Sequence, residues 1–334
     1  MFMTKKTLLK SAYGEIGLML ILIFTCVLSL RLGSTELSFN EFIGALLNKK
    51  ELSTERFILL YLRLPRILAS VLAGAGLSVS GVILQKVTGN ELASPNIIGV
   101  NAGAGFSMMF MLYLFPAQIF LRPLGAFAGA LLTTLIILTA SYKGSFSKTT
   151  VILCGIAVTA VLNAGISFLS YLNPDILMDY NHFSVGGVSG VENKELIFPC
   201  VIVCLCLITA LLLSDKIDTL CLGDSLAFSL GVRVKELRII SLMLAGLSAA
   251  AVVSFAGLLG FAGLVVPHIA RRLTDGRTEK MLTVAVPVGG TIVVLADLVG
   301  RTAFAPSEIP VGVVMSFIGA PFLLYIVLRR GKNA

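Results

Sequence analysis

The sequence predicts an all-α integral membrane protein with about ten transmembrane helices. Of its 334 residues, 57% are hydrophobic and only 13% are charged, and the mean hydropathy is +0.96. A water-soluble chain of this size needs more polar surface than that composition supplies. Apolar runs of about 20 residues, the length that crosses a bilayer, recur along the sequence. Because no polar domain interrupts them, residues 1–334 are predicted to form a single transmembrane domain.

Charged residues and proline, glycine or asparagine divide the chain into ten candidate spans. The spans cover residues 13–31, 64–84, 97–115, 123–141, 150–171, 196–213, 239–256, 257–272, 281–299 and 309–328. The longest polar stretches are residues 32–60, 172–195 and 214–238. An even number of spans places both chain ends on the same side of the membrane.

The first span has two readings. Lys5, Lys6 and Lys10 precede an apolar run from Ile16 to Leu30, as in a signal peptide. No A-x-A cleavage site follows this run, so we interpret it as an uncleaved first span.

The distribution of positive charge predicts that both ends are cytoplasmic. With that orientation, 17 lysines and arginines lie inside and 9 outside, and 6 of those 9 fall in residues 31–66. Short cytoplasmic loops carry an excess of positive charge in membrane proteins. The same rule explains the net charge of +8. A nucleic-acid-binding function is not needed to explain it, because the basic residues are scattered through short loops.

Regularly spaced glycines predict tight helix packing, since small residues let helix backbones approach closely in lipid. The glycines concerned are Gly99 and Gly103, Gly125 and Gly129, and the series Gly257, Gly260 and Gly263.

An internal similarity suggests a repeat. LAGAGLSVSG at residues 72–81 and LAGLSAAAVVSFAG at residues 244–257 fall in spans that would run in opposite directions. This predicts an inverted repeat, a common design of transporters.

The sequence argues against an enzyme. His182 and His268 are the only histidines, and no H-E-x-x-H or G-x-S-x-G motif is present. Nearly all six cysteines lie in apolar runs, where a thiol behaves as a small hydrophobe. We therefore expect no catalytic residue, no metal site and no cofactor. The phosphate-binding pattern G-x-x-x-x-G-K-[ST] is also missing, so any ATP hydrolysis is expected in another chain.

An ion-coupled secondary transporter or a channel is the main alternative. Ion-coupled carriers place ionisable side chains near the middle of the membrane. The candidates are Asp297 and Glu15, but each lies near the end of its span, where an interfacial position also explains it. We therefore expect the protein to take its energy from a partner.

The polar stretch DKIDTLCLGDSLAFSLGVRVKELR, residues 215–238, is typical of a partner-binding segment. Asp224 is expected to cap a short helix, which Gly231 ends in the left-handed conformation. A helix of one or two turns is not stable alone and needs another surface. That surface belongs either to a cytoplasmic partner or to the rest of this bundle. The apolar side chains expected to make the contact are Leu226, Phe228 and Leu230.

Several stretches together resemble the FecCD family of ABC importer permeases, whose members carry iron siderophores, haem and vitamin B12. They are RLPRILASVLAGAGLSVSGVILQKVTGNELASPNIIGVNAGAG (63–105), LGDSLAFSLGV (222–232), GLLGFAGLVVPHIARRL (257–273), ADLVGRTAFAPSEIPVGVV (296–314) and IGAPFLLY (318–325). The resemblance runs from about residue 13 to residue 330 and keeps the order of the motifs.

The resemblance implies a ten-helix permease subunit in the cytoplasmic membrane. Its implied partners are a second permease subunit, identical or paralogous, two cytoplasmic ABC ATPase subunits and an extracytoplasmic substrate-binding protein. The substrate implied is a metal chelate, with a ferric siderophore as the first choice and haem or cobalamin as alternatives. The implied ATPase-coupling residues are Gly223, Asp224, Ser225, Leu226, Phe228, Leu230 and Gly231.

Further residues are implied by the same resemblance. Asn90, Leu92, Lys148 and Thr149 fall where the family forms its cytoplasmic gate, although the family more often has proline at the position of Glu91. Relatives often carry tryptophan in the segment 179–190, and this chain has none. The arginines implied to receive acidic side chains of the binding protein are Arg63, Arg66 and Arg301.

The stretch around Pro267 and His268 is interpreted as architecture. Pro267 lacks a backbone donor and is expected to kink its span. Arg271 and Arg272 are expected to mark the cytoplasmic end, and His268 to form a hydrogen bond within the bundle.

Overall fold

The computed structural model describes residues 12–33, 44, 53–143 and 148–331. Within these ranges the chain is helical and contains no β-strand, which confirms the all-α prediction. The helices are α1 (Ala12–Arg31), α2 (Thr54–Thr88), α3 (Val100–Leu114), α4 (Leu121–Lys143), α5 (Lys148–Leu172), α6 (Leu177–Val185), α7 (Asn193–Leu212), α8 (Ser214–Leu220), α9 (Asp224–Ser229), α10 (Val234–Ala256), α11 (Ala262–Leu273), α12 (Thr278–Thr302) and α13 (Val311–Gly331). Lys5, Lys6 and Lys10 lie outside the described residues.

Seven of these helices are long and apolar enough to cross a membrane, namely α1, α2, α4, α5, α7, α10 and α12. Helices α3 and α13 are shorter apolar helices. Each of the ten predicted spans overlaps one helix of the described chain. Two helices, α6 and α8, were not predicted. Helix α2 also begins ten residues before the predicted span 64–84, and its residues Ile58–Arg63 are π-helical.

Helix α11 begins five residues later than the predicted span 257–272. Gly257 and Phe261 both have positive φ angles, +67° and +64°, which a continuous α-helix does not allow. The stretch between them is therefore a turn, and α11 begins at Ala262. Pro267 lies inside α11 and is buried.

Helices α2 and α12 form the central antiparallel pair of the bundle. A Cβ atom on Gly74 would lie 2.1 Å from the carbonyl oxygen of Gly289, and one on Gly289 would lie 2.4 Å from that of Gly74. Only glycine allows this approach, because a real Cβ atom does not come within 3.0 Å of such an atom. Most of α2 from Pro65 to Thr88 is buried as a result.

The two similar segments at residues 72–81 and 244–257 cross each other. The Ser80 hydroxyl donates to the carbonyl oxygen of Ala245 at 2.7 Å, and the Ser248 hydroxyl donates to that of Gly76 at 2.8 Å. The residue numbers rise in one helix as they fall in the other, so α2 and α10 run in opposite directions at this crossing. The antiparallel direction predicted for the two segments is confirmed.

Most of the predicted glycine contacts are present. Gly103 of α3 and Gly129 of α4 face each other, with a built Cβ on either lying 2.4 Å from the other's carbonyl oxygen. The carbonyl oxygen of Gly263 would lie 2.0 Å from a Cβ on Gly81 of α2. The prediction is wrong for Gly260, which has nothing within 4 Å of a built Cβ.

Substituting Gly74 by alanine is expected to disrupt the α2–α12 pair. The new methyl group would meet the backbone of Gly289, which has no flexible end that could move away. Overpacking of a well-packed interior typically costs about 1–3 kcal/mol. We expect a lower thermal unfolding temperature for Gly74→Ala in detergent. Gly17→Ala is the control, because a Cβ there has nothing within 4 Å; equal unfolding temperatures for the two variants would contradict the packing assignment.

Candidate functional sites at the two ends of the bundle

A buried carboxylate organises the end of the bundle where α2 begins and α12 ends. Asp297 is 1% exposed. Arg66 donates from Nε to Asp297 Oδ1 at 2.9 Å and places Nη2 at 2.9 Å from the same oxygen. Arg301, one turn further along α12, places Nε at 3.1 Å from Asp297 Oδ2. Two arginines therefore pair with this carboxylate, which lies near the end of α12.

Arg66 also has a partner at the surface. Its Nη1 lies 2.7 Å from Glu308 Oε2 and 3.4 Å from the Ser189 hydroxyl. Glu308 belongs to the segment between α12 and α13, and its side chain is 33% exposed. The Arg66 side chain is thus shared between a buried and a partly exposed carboxylate.

Arg63 and Arg301 hold the end of α1. Arg63 Nη1 donates to the carbonyl oxygens of Leu30 and Arg31, each at 2.7 Å. Arg301 Nη2 donates to the hydroxyl of Ser29. Carbonyl groups in the last turn of a helix have no partner within the helix, and a positive charge there is favourable. Both arginines are therefore anchors of α1, with exposures of 4% and 3%.

The three arginines predicted as docking residues border one cavity of about 790 Å³. The structure thus brings Arg63, Arg66 and Arg301 together, with Arg63 and Arg301 buried. Sequence reasoning missed the contribution of Glu308. The other polar side chains that line the cavity are Ser189, Glu192, Asn193 and Lys194.

Helix α9, Asp224–Ser229, lies at the other end of the bundle, within the predicted coupling segment. The prediction that Asp224 caps this helix is wrong, because Gly223 occupies the N-cap position. The Asp224 carboxylate instead accepts from Arg238 Nη2 at 2.7 Å, which joins α9 to the start of α10.

The end of α9 is as predicted. Gly231 has a φ angle of +82° and donates to the carbonyl oxygen of Phe228, while Val232 donates to that of Ala227. This pair of hydrogen bonds is a Schellman motif, which ends a helix at a left-handed residue.

The large apolar side chains of α9 and its flanking residues are exposed. Ala227 is fully buried against the bundle, whereas Phe228 is 75% exposed. Ser225 is also exposed. The described chain therefore leaves an apolar surface without a covering element, in agreement with the reading as a partner-binding helix. Its other members are Leu222, Leu226 and Leu230, all at least 59% exposed.

Helix α8 contributes a carboxylate that joins three elements. Asp218 accepts hydrogen bonds from Lys86 Nζ at 2.7 Å, from the Thr278 hydroxyl at 2.6 Å and from the Thr278 backbone N–H at 3.0 Å. Lys86 lies in the last turn of α2, and Thr278 is the first residue of α12. Sequence reasoning missed Asp218, because these partners are distant in the chain.

A second carboxylate lies in the turn between α11 and α12. The Lys280 ammonium donates to Asp275 at 2.9 Å and lowers the pKa of that carboxyl. This pair links the turn before α12 only to the first turn of α12.

The predicted gate residues occupy two separate elements. Asn90 Oδ1 accepts from the backbone N–H of Leu92 at 3.0 Å and shapes the turn after α2. Glu91, in the same turn, pairs with Arg271 at the end of α11 at 2.7 Å. Thr149 is exposed in the first turn of α5. The backbone of Lys148 begins α5, but its side chain lies outside the described residues.

A cavity of about 280 Å³ lies next to this turn. Phe261, which lines it, holds a left-handed conformation that is uncommon for a bulky residue. Its side chain would overlap a Cβ on Gly319 of α13, so the pair depends on that glycine. His268 packs edge-on against Phe322 of α13, with ring centroids 5.6 Å apart. The hydrogen-bonding role of His268 stays a prediction.

Seven helices long and apolar enough to cross a bilayer are typical of a multi-pass membrane protein. Residues 21–329 match the FecCD transport family, and the chain belongs to this family. In the importers of this family the permease is a translocation subunit, and a separate subunit hydrolyses ATP.

Curated relatives cover most of the chain. The Fe(3+)-citrate import system permease protein YfmE of Bacillus subtilis is 35% identical over 95% of both chains. The iron(3+)-hydroxamate import system permease protein FhuG of the same organism is 36% identical over 82% of this chain and 84% of its own. The heme-iron transport system permease protein IsdF of Staphylococcus aureus is 34% identical over 95% of both.

A solved structure shares the fold. An inward-facing conformation of a metal-chelate type ABC transporter superposes with a TM-score of 0.83 at 29% identity, covering 96% of this chain and 100% of the other. PsaBC from Streptococcus pneumoniae, solved in complex with a Fab, has a TM-score of 0.57 at 19% identity and covers 78% of this chain and 89% of its own.

Proposed function

We propose that this chain is the permease subunit of a type II ABC importer and moves an intact ferric siderophore into the cytoplasm. The family match over residues 21–329 carries this proposal. Siderophore-type chelates are favoured because two of the similar relatives are named for ferric citrate and ferric hydroxamate. Haem is the second candidate, because another relative is named for heme iron. Cobalamin is a third member of the substrate range implied by the family resemblance.

The proposed orientation places both chain ends in the cytoplasm, with ten spans and an inverted repeat. The excess of basic residues on that side supports it. The antiparallel crossing of α2 and α10 supports the repeat. In this orientation α8 and α9 are cytoplasmic, and the cavity beside Arg66 opens to the outside.

The proposed assembly contains two permease subunits, two ABC ATPase subunits and one substrate-binding protein. Helix α9 would occupy a groove on the ATPase, and the arginine cluster would receive the binding protein. The substrate path would run along the 72–105 region and the 172–190 segment. Support for this path comes from two cavities of about 280 and 390 Å³, the first beside Leu77 and Asn101 and the second beside His182. Asn90, Leu92, Lys148 and Thr149 are the proposed gate.

The positions of the two candidate carboxylates, Asp297 and Glu15, fit a secondary transporter less well than an ABC importer. Such a carrier needs an ionisable group that can gain and lose its ion during transport. Asp297 is held by Arg66 and Arg301, and Glu15 accepts from the Thr283 hydroxyl at 3.4 Å near the start of α12. Neither carboxylate lies free in a central cavity of the described chain.

Reconstituted transport tests the proposal. Proteoliposomes that contain this permease, its ATPase and its binding protein are expected to accumulate a ferric siderophore only when ATP is supplied on the ATPase side. Ferric citrate, haem and cobalamin, offered in the same assay, would identify the substrate. Uptake driven by an ion gradient without the ATPase subunit would contradict the proposal.

Changing Phe228 to glutamate is expected to detach or uncouple the ATPase. Phe228 is 75% exposed on α9, so the change leaves the bundle intact while adding a charge to the apolar surface. Co-purification of the ATPase and uptake by the complex are the measurements. Phe228→Leu is the matched control, because it keeps the surface apolar and should retain both. Normal assembly and transport by Phe228→Glu would exclude α9 as the contact.

Changing Glu308 to glutamine is expected to strengthen docking of the binding protein. In the proposed interface an incoming carboxylate competes with Glu308 for Nη1 of Arg66, and glutamine competes less strongly because it carries no charge. Arg66→Gln should weaken docking, which surface plasmon resonance can measure. Glu192→Gln is the control for charge alone, since Glu192 lines the same cavity without an ion pair to Arg66. Equal affinities for the Glu308 and Glu192 variants would contradict the competition.

A further inference from the structure

Asp218 is the point at which the coupling segment meets the central helix pair. Helix α8, Ser214–Leu220, leads into α9 through only three residues, 221–223. Its Asp218 carboxylate binds Lys86 at the end of α2 and Thr278 at the start of α12. Asp218 thus links the segment before α9 to two spans, beside two weaker contacts, Asp215 with Arg277 and the Cys221 thiol with the carbonyl oxygen of Lys86.

Asp218 completes the N-terminus of α12. The residue at the N-cap position, Arg277, makes no side-chain hydrogen bond to the helix. Free N–H groups in the first turn need acceptors, and a negative charge is favourable there. Asp218 accepts from the Thr278 N–H and thus supplies from α8 a cap that α12 lacks in its own sequence.

Lys86 closes the arrangement from the side of α2. Its ammonium donates to Asp218 and to the carbonyl oxygen of Gly276 in the turn before α12. The side chain is only 10% exposed, so water competes little for these contacts. Lys86 thereby ties the end of α2 both to α8 and to the start of α12.

The pair α2 and α12 is joined at both ends and in the middle. Arg66 binds Asp297 at one end, Gly74 contacts Gly289 in the middle, and Lys86 with Asp218 and Thr278 closes the other end. These contacts hold the two helices in one antiparallel register along their whole length.

We propose that Asp218, Lys86 and Thr278 are positioning residues that transmit movement of the ATPase-bound coupling segment to the α2–α12 pair. The inference rests on the proposed function, because it needs an ATPase on α9. The Asp218 contacts are separate from the Asp224–Arg238 ion pair, which joins α9 to α10. Loss of the Asp218 contacts leaves α9 able to bind the ATPase but removes the strongest polar link from its segment to α2 and α12, leaving the longer Asp215–Arg277 and Cys221–Lys86 contacts.

The test compares ATP hydrolysis with uptake in the complete complex. Asp218→Asn and Lys86→Gln should retain the ATPase subunits and basal hydrolysis. Uptake per ATP hydrolysed should fall by at least about fivefold, the lower end of the coupling found between linked sites in proteins. The double variant should fall no further than either single variant, since residues of one network are not additive. Thr278→Val, which removes only the hydroxyl donor, should give a smaller loss.

Lys280→Gln is the matched control. Lys280 forms the same type of lysine–aspartate pair on the same side of the bundle, but with Asp275 in the adjacent turn. The complex that carries Lys280→Gln should take up as much substrate per ATP hydrolysed as the unchanged complex. If Asp218 and Lys86 were merely structural, their loss would lower ATP hydrolysis and uptake equally. The ratio of uptake to ATP hydrolysed therefore separates a structural role from transmission of movement.

The outcomes distinguish the inference from the proposed function. An unchanged ratio in both Asp218→Asn and Lys86→Gln overturns the inference alone. Loss of the ATPase subunits from either variant also overturns it, because the residues would then serve assembly. Absence of ATP-driven uptake in the unchanged complex overturns the proposed function and this inference together.

Discussion

The close approach of α2 and α12 is the constraint on which the rest of the structure depends. In a lipid environment apolar surface gives no net drive for helix association, so contact must come from close packing and polar bonds. Gly74 and Gly289 allow the two backbones to meet. That approach brings Arg66 within reach of Asp297 at one end and places Lys86 beside the start of α12 at the other. A larger residue at the glycine contact would therefore separate both charged ends.

The buried charged side chains each have a partner of opposite charge or a backbone carbonyl oxygen. An isolated ionised side chain in a low-dielectric interior is strongly unfavourable, and removing one member of a buried pair commonly costs about 3–5 kcal/mol. Asp297 has Arg66 and Arg301, and Arg63 has two backbone carbonyl oxygens at the end of α1. Arg301 both pairs with Asp297 of α12 and fastens α1 through Ser29. Arg66 pairs with Asp297 and also with Glu308, which reaches the cavity surface.

Sequence reasoning located the apolar segments well, because the length and composition of a span are local properties. It failed where backbone geometry or distant partners decide. The late start of α11 follows from the left-handed Phe261, which no composition indicates. Asp224 looked like a helix cap, but the nearby Arg238 competes for its carboxylate. The burial of Arg63 depends on carbonyl groups of Leu30 and Arg31, more than 30 residues away, which only the folded chain brings together.

The two charged ends have a common consequence in the proposed assembly. Binding energy at one site affects another only if both sites bias the same structural element, and the effect is then reciprocal. The binding protein would act on Arg66 at the start of α2, and the ATPase on Asp218, which holds the end of α2 and the start of α12. Both partners would thus act on one helix pair about which the remaining spans pack. Communication across the membrane then needs no chain of small side-chain changes, because the α2–α12 pair itself spans the distance.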